Sequence, residues 1–139
     1  MPSSISAFID TNVWLYAFIA GQDSQKTERA QTLLGTLSAI TVSAQVINEV
    51  CVNLIKRQKF AEDQIRDVIN DYYNIYTVIE LDQPILLSAS SLREQYSLSY
   101  WDRLIVACAL ITGVPILYSE DMQDGLTINQ QLRIVNPFK

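Results

Sequence analysis

The sequence of 139 residues contains no histidine, and this absence removes the commonest catalytic base and a frequent metal ligand. It contains only two cysteines, Cys51 and Cys108, which lie in apolar helical patterns and lack the close spacing of a zinc motif. We expect both to be small buried hydrophobic residues, which is consistent with a reducing cytoplasm. Catalysis by this chain must therefore depend on other side chains.

Glycine and proline are also scarce, with four of each. So few leave little room for long linkers, and we predict one domain over residues 1–139. The glycine-rich phosphate-binding motifs G-x-x-x-x-G-K and G-x-G-x-x-G are absent, which argues against the usual nucleotide-binding folds. The N-terminus lacks a signal-peptide pattern, and Gly113 and Pro115 interrupt the most apolar stretch, 104–118. We expect no membrane association and a cytoplasmic location.

Basic residues are outnumbered: the net charge is −5 and the sequence pI is about 4.5. This balance argues against a strongly basic nucleic-acid surface, although it does not exclude an RNA substrate. Five of the 15 acidic residues lie at or near the ends of predicted strands and helices. The other ten acidic residues are equal in number to the ten Lys and Arg residues. These five are Asp10, Glu49, Asp102, Asp121 and Asp124. If these five lie together in the fold, the excess charge is concentrated largely in one cluster, which a divalent cation would partly neutralise.

Strands and helices alternate along the chain. Strands are predicted at 5–9, 39–42, 77–81, 115–119 and, at the edge of the sheet, 132–135. Helices are predicted from about 13, then at 24–37, from Ser43 to the basic residues at 56–59, at 61–73, at 84–96 and from Ser99 to Gly113. This alternation predicts an α/β fold with a mostly parallel sheet and helices on both faces.

Asp10 and Asp121 each follow a predicted strand. The carboxyl ends of parallel strands are where open α/β sheets bind ligands, so the two side chains converge if their strands are neighbours. Asn12 faces the same crevice and can orient a ligand. The alternative roles are structural: an N-terminal helix cap for Asp10, and a turn or cap for Asp121 and Asp124.

Glu49 and Asp102 lie near the beginnings of two apolar helices. Glu49 borders the buried stripe of its helix, and an ordinary exposed glutamate is the alternative. Asp102 precedes a segment, 104–111, that is apolar around its whole circumference. It also completes the capping box that begins at Ser99, and a capping role is compatible with metal binding.

Carboxylate oxygens suit hard cations such as Mg²⁺ and Mn²⁺. Such an ion polarises a phosphoryl oxygen and lowers the pKa of a bound water molecule. A set of acids without histidine, reactive cysteine or a phosphate-binding glycine loop therefore favours metal-dependent hydrolysis of a phosphodiester.

The ordered motifs resemble those of a PIN domain, in particular the VapC-type ribonuclease toxin of a VapBC toxin–antitoxin pair. The resemblance covers nearly the whole chain. It is carried by Phe8-Ile9-Asp10-Thr11-Asn12-Val13, Ser43-Ala44-Gln45-Val46-Ile47-Asn48-Glu49-Val50, Tyr100-Trp101-Asp102-Arg103-Leu104-Ile105-Val106-Ala107-Cys108-Ala109 and Leu117-Tyr118-Ser119-Glu120-Asp121-Met122-Gln123-Asp124-Gly125.

The resemblance implies a three-layer α/β/α fold whose central, mostly parallel sheet has four or five strands. It also implies an endoribonuclease that requires Mg²⁺ or Mn²⁺ and leaves a 5′-phosphate and a 3′-hydroxyl. Its metal ligands would be Asp10, Glu49, Asp102 and Asp121, with Asn12 supporting the first carboxylate and Asp124 as a variable fifth acid.

The implied partners are an RNA substrate, an antitoxin protein and a second copy of the chain. Arg103 departs from the family pattern, in which a small residue commonly follows the aspartate, and it can contact a substrate phosphate or pair with an acid. The nearby aromatic residues Tyr96, Tyr100 and Trp101 suit an interface, base stacking or core packing.

Two other functions are compatible with parts of the sequence. A phosphatase of the haloacid-dehalogenase type also has an aspartate after its first strand, but it requires a second aspartate where this chain has Asn12. It also requires a lysine before its last acidic motif, and no lysine occurs between Lys59 and Lys139. The second is an inactive binding module with a PIN-like fold, which would be expected to lack one or more of the four acids.

Overall fold

The computed structural model describes residues 5–19, 21 and 23–139, so the predicted start of the domain, residues 1–4, lies outside the described residues. Within them the chain forms six strands and six helices. The strands are β1 (Ser6–Ile9), β2 (Ala39–Ser43), β3 (Thr77–Ile79), β4 (Ile116–Tyr118), β5 (Thr127–Ile128) and β6 (Leu132–Val135). The helices are α1 (Thr11–Phe18), α2 (Ser24–Thr36), α3 (Ala44–Gln58), α4 (Glu62–Ile75), α5 (Gln83–Gln95) and α6 (Tyr100–Thr112).

The strands form one sheet in the order β3-β2-β1-β4-β6-β5. All neighbouring strands are parallel except β5 and β6. β1 lies between β2 and β4, with Phe8 opposite both Thr41 and Leu117. Because the three strands run in the same direction, the residues that follow β1 and β4 emerge at one edge of the sheet, beside the end of β2.

The predicted three-layer α/β/α fold is confirmed. The strand count is six instead of four or five, because β5 is only two residues long and too short to give a pattern in the sequence. The prediction that 132–135 forms the edge strand is wrong, since β6 pairs with β4 on one side and β5 on the other. A tight turn with positive φ at Asn129 and Gln130 folds β5 back onto β6.

The burial of its side chains shows that β1 lies at the centre of the fold. Ala7, Phe8 and Ile9 have no solvent exposure, and the same is true of Leu117 on β4. The helices pack on the sheet and on one another, with α5 against α6 and α3 against both α1 and α4. Both cysteines are free and buried, as predicted. Among the described residues, no helix has the length and hydropathy needed to cross a membrane.

Three helix beginnings hold the candidate site residues in place. Asp10 is the N-cap of α1 and accepts a hydrogen bond from the backbone N–H of Thr11. Ser43 caps α3, which carries Glu49, and Ser99 caps α6 through the backbone N–H of Asp102. Side-chain caps satisfy backbone donors that have no partner within the helix, so they fix where each helix starts.

The central position of β4 leads to a test of the core. We expect Leu117→Ala to lower the free energy of unfolding by about 2–5 kcal/mol, because it leaves a cavity in the core at the strand next to β1. Leu87→Ala is the matched control, since 61% of Leu87 is exposed and its loss should change stability by less than about 0.5 kcal/mol. Urea unfolding of both variants measures the difference. Equal, small losses would contradict the central role of β4.

Candidate metal centre

Asp10 is the most deeply placed of the predicted ligands, and only 7% of it is exposed. Its Oδ1 accepts a hydrogen bond from the Thr11 backbone N–H at 2.7 Å. Its Oδ2 accepts one from the Ser119 hydroxyl at 2.8 Å, and Ser119 is itself fully buried. Thr11 follows β1 and Ser119 follows β4, so the pairing of those strands places both donors beside the carboxylate. Asp10 therefore serves as a helix cap and also lies in the predicted site.

The charge of Asp10 is poorly compensated. Burial raises the pKa of Asp10 from 3.8 to about 6. The hydrogen bonds from Thr11 and Ser119 lower this pKa in part, whereas the nearby charges of Asp102 and Glu49 raise it further. Within the described part of the chain, no cationic side chain is among the groups that lower it. A bound cation would supply the missing positive charge.

Glu49 lies on α3 and is linked to the beginning of α1. Its Oε2 accepts a hydrogen bond from the Thr11 hydroxyl at 2.7 Å, and its Oε1 accepts one from Gln45 Nε2 at 3.1 Å. Thr11 thus contacts two predicted ligands, Asp10 through its backbone and Glu49 through its side chain. Thr11 therefore links the two carboxylates.

Asn12 is paired with Asp121, at the loop that follows β4. Its Nδ2 donates a hydrogen bond to Asp121 Oδ2 at 2.5 Å. The sequence resemblance implied that Asn12 supports the first carboxylate, whereas in the structure it holds the last one. Burial raises the pKa of Asp121, and the charges of Glu120 and Glu49 raise it as well. This places Asp121 within electrostatic reach of the other acids.

Asp102 lies in the first turn of α6, where the helix dipole favours a negative charge. Ser99 accepts a hydrogen bond from its backbone N–H at 3.1 Å, which is half of the predicted capping box. Burial raises the pKa of Asp102, and the charges of Asp121 and Glu49 raise it further, whereas Ser99 lowers it. Asp102 therefore interacts with acids from both the α3 side and the β4 side of the site.

These mutual effects show that the four predicted ligands share one edge of the sheet. Their donor set consists only of carboxylate oxygens, which fits Mg²⁺ or Mn²⁺ in chemistry. The side chains do not converge on a single point: within residues 5–19, 21 and 23–139, no three acidic, cysteine or histidine side chains adopt a metal-ligating arrangement. Glu49 and Asp121 are instead turned toward Thr11 and Asn12.

The two other residues predicted for the site, Asp124 and Arg103, have other contacts. Asp124 is exposed, and its Oδ1 accepts a hydrogen bond from the Asn136 backbone N–H at 2.8 Å, so it anchors the segment after β6. Arg103 is buried beside α5, with its guanidinium 5.0 Å from the centre of the Tyr100 ring. It forms no ion pair with an acid among the described residues.

Sequence reasoning missed Ser119 and the double role of Thr11. A signal for Ser119 exists in the strand register, because Ile9 pairs with Tyr118 and the next residues, Asp10 and Ser119, must then be neighbours. It also missed the neighbour of Asp121, Glu120, which accepts hydrogen bonds from Lys26 and from Tyr16 Oη, the latter at 3.2 Å. That ion pair ties the loop after β4 to α2.

Several solved structures share this fold. A toxin–antitoxin complex from Klebsiella pneumoniae has a TM-score of 0.72 and 23% identity, covering 94% of this chain and 97% of that one. VapC20 of Mycobacterium tuberculosis, a Sarcin-Ricin loop cleaving toxin, has a TM-score of 0.67 and 18% identity over 83% of this chain and 89% of that one. VapBC2 from Rickettsia felis, bound to a DNA fragment, has a TM-score of 0.63 and 17% identity over 95% and 100%.

No curated protein sequence matches this chain. The family model of the PIN domain matches residues 7–123, a range that begins in β1 and contains Asp10, Glu49, Asp102 and Asp121. Because that match covers most of the chain and agrees with the fold, the protein belongs to the PIN domain family.

Proposed function

We propose that the protein is a metal-dependent endoribonuclease that hydrolyses RNA phosphodiester bonds, and that it is the toxin of a toxin–antitoxin pair. The observation that carries the proposal is the gathering of four carboxylates from distant parts of the chain at one sheet edge. A site of this kind is consistent with a family of nucleases. VapC20, which shares the fold, is a toxin that cleaves the Sarcin-Ricin loop.

In this proposal Asp10, Glu49, Asp102 and Asp121 hold Mg²⁺ or Mn²⁺. Such an ion, when bound, supplies Lewis acidity toward a phosphoryl oxygen and lowers the pKa of water. The buried position of Asp10 supports the assignment, because an ionised carboxylate is costly to bury unless a cation or hydrogen bonds compensate it.

The chain's own residues prepare this site by holding carboxylate oxygens in place. Ser119 and Thr11 orient the two oxygens of Asp10, and Asn12 holds one oxygen of Asp121. Hydrogen bonds from neutral groups restrict a carboxylate's rotation without neutralising its charge, so the carboxylate stays available to a cation. The first turn of α6 adds a favourable dipole at Asp102.

The proposed partners follow from the same relatives. The Klebsiella pneumoniae and Rickettsia felis structures are complexes of toxin–antitoxin systems, which supports an antitoxin partner for this chain. We also propose a homodimer, on the basis of the family resemblance, and a cytoplasmic location, which the two free, buried cysteines support.

Growth arrest on expression, relieved by coexpression of a neighbouring antitoxin gene, would test the toxin role, and normal growth would contradict it.

Asp102→Asn is the first test of catalysis. We expect purified protein to cleave unstructured RNA in Mg²⁺ or Mn²⁺ but not in EDTA, and the variant to show no detectable cleavage, because it loses a ligand charge. Asp67→Asn, an identical change on the exposed surface of α4, is the matched control and should remain active. Gel analysis of labelled RNA measures both.

Cleavage that persists in Asp102→Asn or in EDTA would contradict the metal centre. If the folded, partner-free protein binds RNA without cutting any of a broad panel, the inactive binding module is the better explanation.

Asn12→Ala tests the support of Asp121. Removing a group that orients a metal ligand typically lowers metal affinity or activity by about 10–100-fold. We expect the variant to need a correspondingly higher Mg²⁺ concentration for half-maximal cleavage, with a lesser effect on the rate at saturating metal. A metal titration of the cleavage rate separates the two. An unchanged titration midpoint would show that the Asn12–Asp121 hydrogen bond has no part in metal binding.

Asp10→Asn tests the electrostatic origin of the site through stability. Between pH 3.8 and about 6 the folded state retains a proton on Asp10 that the unfolded state has lost, so the free energy of unfolding falls as pH rises through this window. At about 1.4 kcal/mol per pKa unit the loss is roughly 3 kcal/mol, and it is complete above pH 6. We expect metal-free Asp10→Asn to lack this loss and to be more stable than the parent chain at pH 7.

Urea unfolding in EDTA across pH 4–7 measures this effect, with Asp67→Asn as the control that keeps the parent's pH dependence. Added Mg²⁺ should stabilise the parent at pH 7 but not Asp10→Asn. A parent chain whose stability rises through this window would show that the Asp10 carboxylate is not destabilised by burial.

A further inference from the structure

A polar cavity lies between α5 and α6, and none of the four carboxylates lines it. Its volume is about 320 Å³, and its polar wall is formed by Ser90, Arg93, Tyr100 and Arg103, with leucine and alanine side chains completing it. The wall contains two arginines and no acidic residue. In a protein whose net charge is −5, this pocket is a local concentration of positive charge.

Arg103 is unusual because only 8% of it is exposed and its Nε has no hydrogen-bond partner among the described residues. The face of Tyr100 lies 5.0 Å from its guanidinium and gives a cation–π contact, but a ring cannot satisfy an N–H donor fully. Buried arginine is normally paired with an anion, because leaving its charge and donors unpaired is costly. An anion in the cavity would meet this need.

Arg93 and Ser90 make the cavity suitable for a phosphate. Arg93 lies in the last turn of α5 and is exposed, so its guanidinium can reach an anion at the mouth of the pocket. The planar fork of arginine matches the oxygens of a phosphate group, and a serine hydroxyl can donate a further hydrogen bond. A lone carboxylate partner would leave most of these donors unused.

The cavity lies close to the candidate metal centre. Arg103 directly follows Asp102, and the Cα atoms of consecutive residues are about 3.8 Å apart. α5 ends at Gln95 and α6 begins at Tyr100, so the short connection keeps Arg93 and Arg103 at the end of the helix pair that carries Asp102. Asp102 and the cavity residue Arg103 therefore lie side by side near the beginning of α6.

Two exposed aromatic rings are associated with this cavity: Tyr100 lines it, and Trp101 packs against Tyr100. Tyr100 is 57% exposed and Trp101 is 62% exposed, and the rings pack edge to face with centres 5.4 Å apart. Exposed aromatic rings beside a positively charged groove are the usual means by which proteins bind unpaired bases. They favour a nucleic-acid strand over free phosphate as the source of the anion.

We propose that the cavity between α5 and α6 binds a backbone phosphate of single-stranded RNA that flanks the bond to be cleaved, with Trp101 stacking on an unpaired base. This inference rests on the proposed function, because it assigns a second contact to the same substrate. Arg93 and Arg103 bind the phosphate, Tyr100 positions Arg103, and Trp101 contacts the neighbouring nucleotide. The site selects unstructured RNA, since a paired base cannot stack on Trp101.

The test measures binding of a labelled unstructured RNA by fluorescence anisotropy in EDTA, over a range of salt concentrations. We expect Arg93→Gln and Arg103→Gln each to weaken binding about tenfold, because each loses hydrogen bonds to a charged group. Each loss of one phosphate contact should also reduce the slope of log affinity against log salt by about 0.7. Arg66→Gln, the same change on the exposed surface of α4, should alter neither.

Trp101→Leu provides an independent readout. Losing a stacked base weakens single-strand binding by roughly tenfold or more, but it removes no phosphate contact. We therefore expect lower affinity with an unchanged salt slope. Leu87→Ala, an exposed apolar change on α5, is the control and should bind RNA normally.

Several results would overturn the inference. One is an unchanged salt slope in Arg93→Gln, a variant of an exposed residue that should fold even if Arg103→Gln does not. A second is a dimer of the parent chain that becomes a monomer in these variants while RNA affinity is retained, which would make the cavity an interface between copies. A third is stabilisation of the parent by inorganic phosphate, without any effect of the variants on RNA binding.

The proposed function and this inference fail in different ways. A parent chain that neither binds nor cleaves RNA contradicts the proposed function. A parent that cleaves RNA, and whose Arg93→Gln and Arg103→Gln variants bind it normally, contradicts only the phosphate site.

Discussion

The parallel pairing of β1 with β4 is the constraint on which the candidate site depends. It places Ser119 beside Asp10, although the two residues are 109 positions apart, and the Ser119 hydroxyl binds the Asp10 carboxylate. The same pairing brings Asp121 to the side chain of Asn12. On the other side of β1, the pairing with β2 directs α3 and Glu49 toward Thr11. Without β1 at the centre, these acids would belong to unrelated surfaces.

The site concentrates negative charge without a compensating cation nearby. The stability of the rest of the fold offsets this electrostatic cost. Asp10 is almost fully buried, and its hydrogen-bond donors, Thr11 and Ser119, are neutral. The described ion pair near the loop after β4 joins Lys26 to Glu120 and leaves Asp121 unpaired by a cation. Hydrophobic burial in β1 and β4 offsets the electrostatic strain, which is how a stable core can carry a repulsive site at its edge.

Much of this could be predicted from the sequence because the signals are local. Apolar runs mark β1 and β4, and the Ser43 and Ser99 caps mark the beginnings of α3 and α6. The hydrogen-bond partners of the carboxylates could not be predicted in the same way. Whether Asn12 meets Asp121, and Thr11 meets Glu49, depends on which strands are neighbours in the sheet. β5 was missed because two residues carry no periodicity, and its turn lacks the glycine that usually marks positive φ.

The cavity beside Arg103 shows a different limit. Sequence identified Arg103 as a departure from the family pattern, but its burial against α5 and its stacking on Tyr100 are properties of helix packing. A charge in an apolar helix can face a carboxylate, solvent or a neighbouring helix, and only the relative positions of α5 and α6 decide which. Contacts of this kind are therefore not visible in motifs that describe only the candidate metal ligands.

The position of β1 in the sheet also determines when the candidate site can form during synthesis. β1 is made first, but β4, which flanks it on one side, lies more than a hundred residues later. At translation rates of about 5–20 residues per second, roughly 5–20 s separate the synthesis of Asp10 from that of Ser119. A nascent chain, or any fragment that stops before β4, lacks both Asp121 and the buried donor to Asp10. Because of this strand order, the candidate site cannot be assembled until β4 and the loop that follows it have been synthesised.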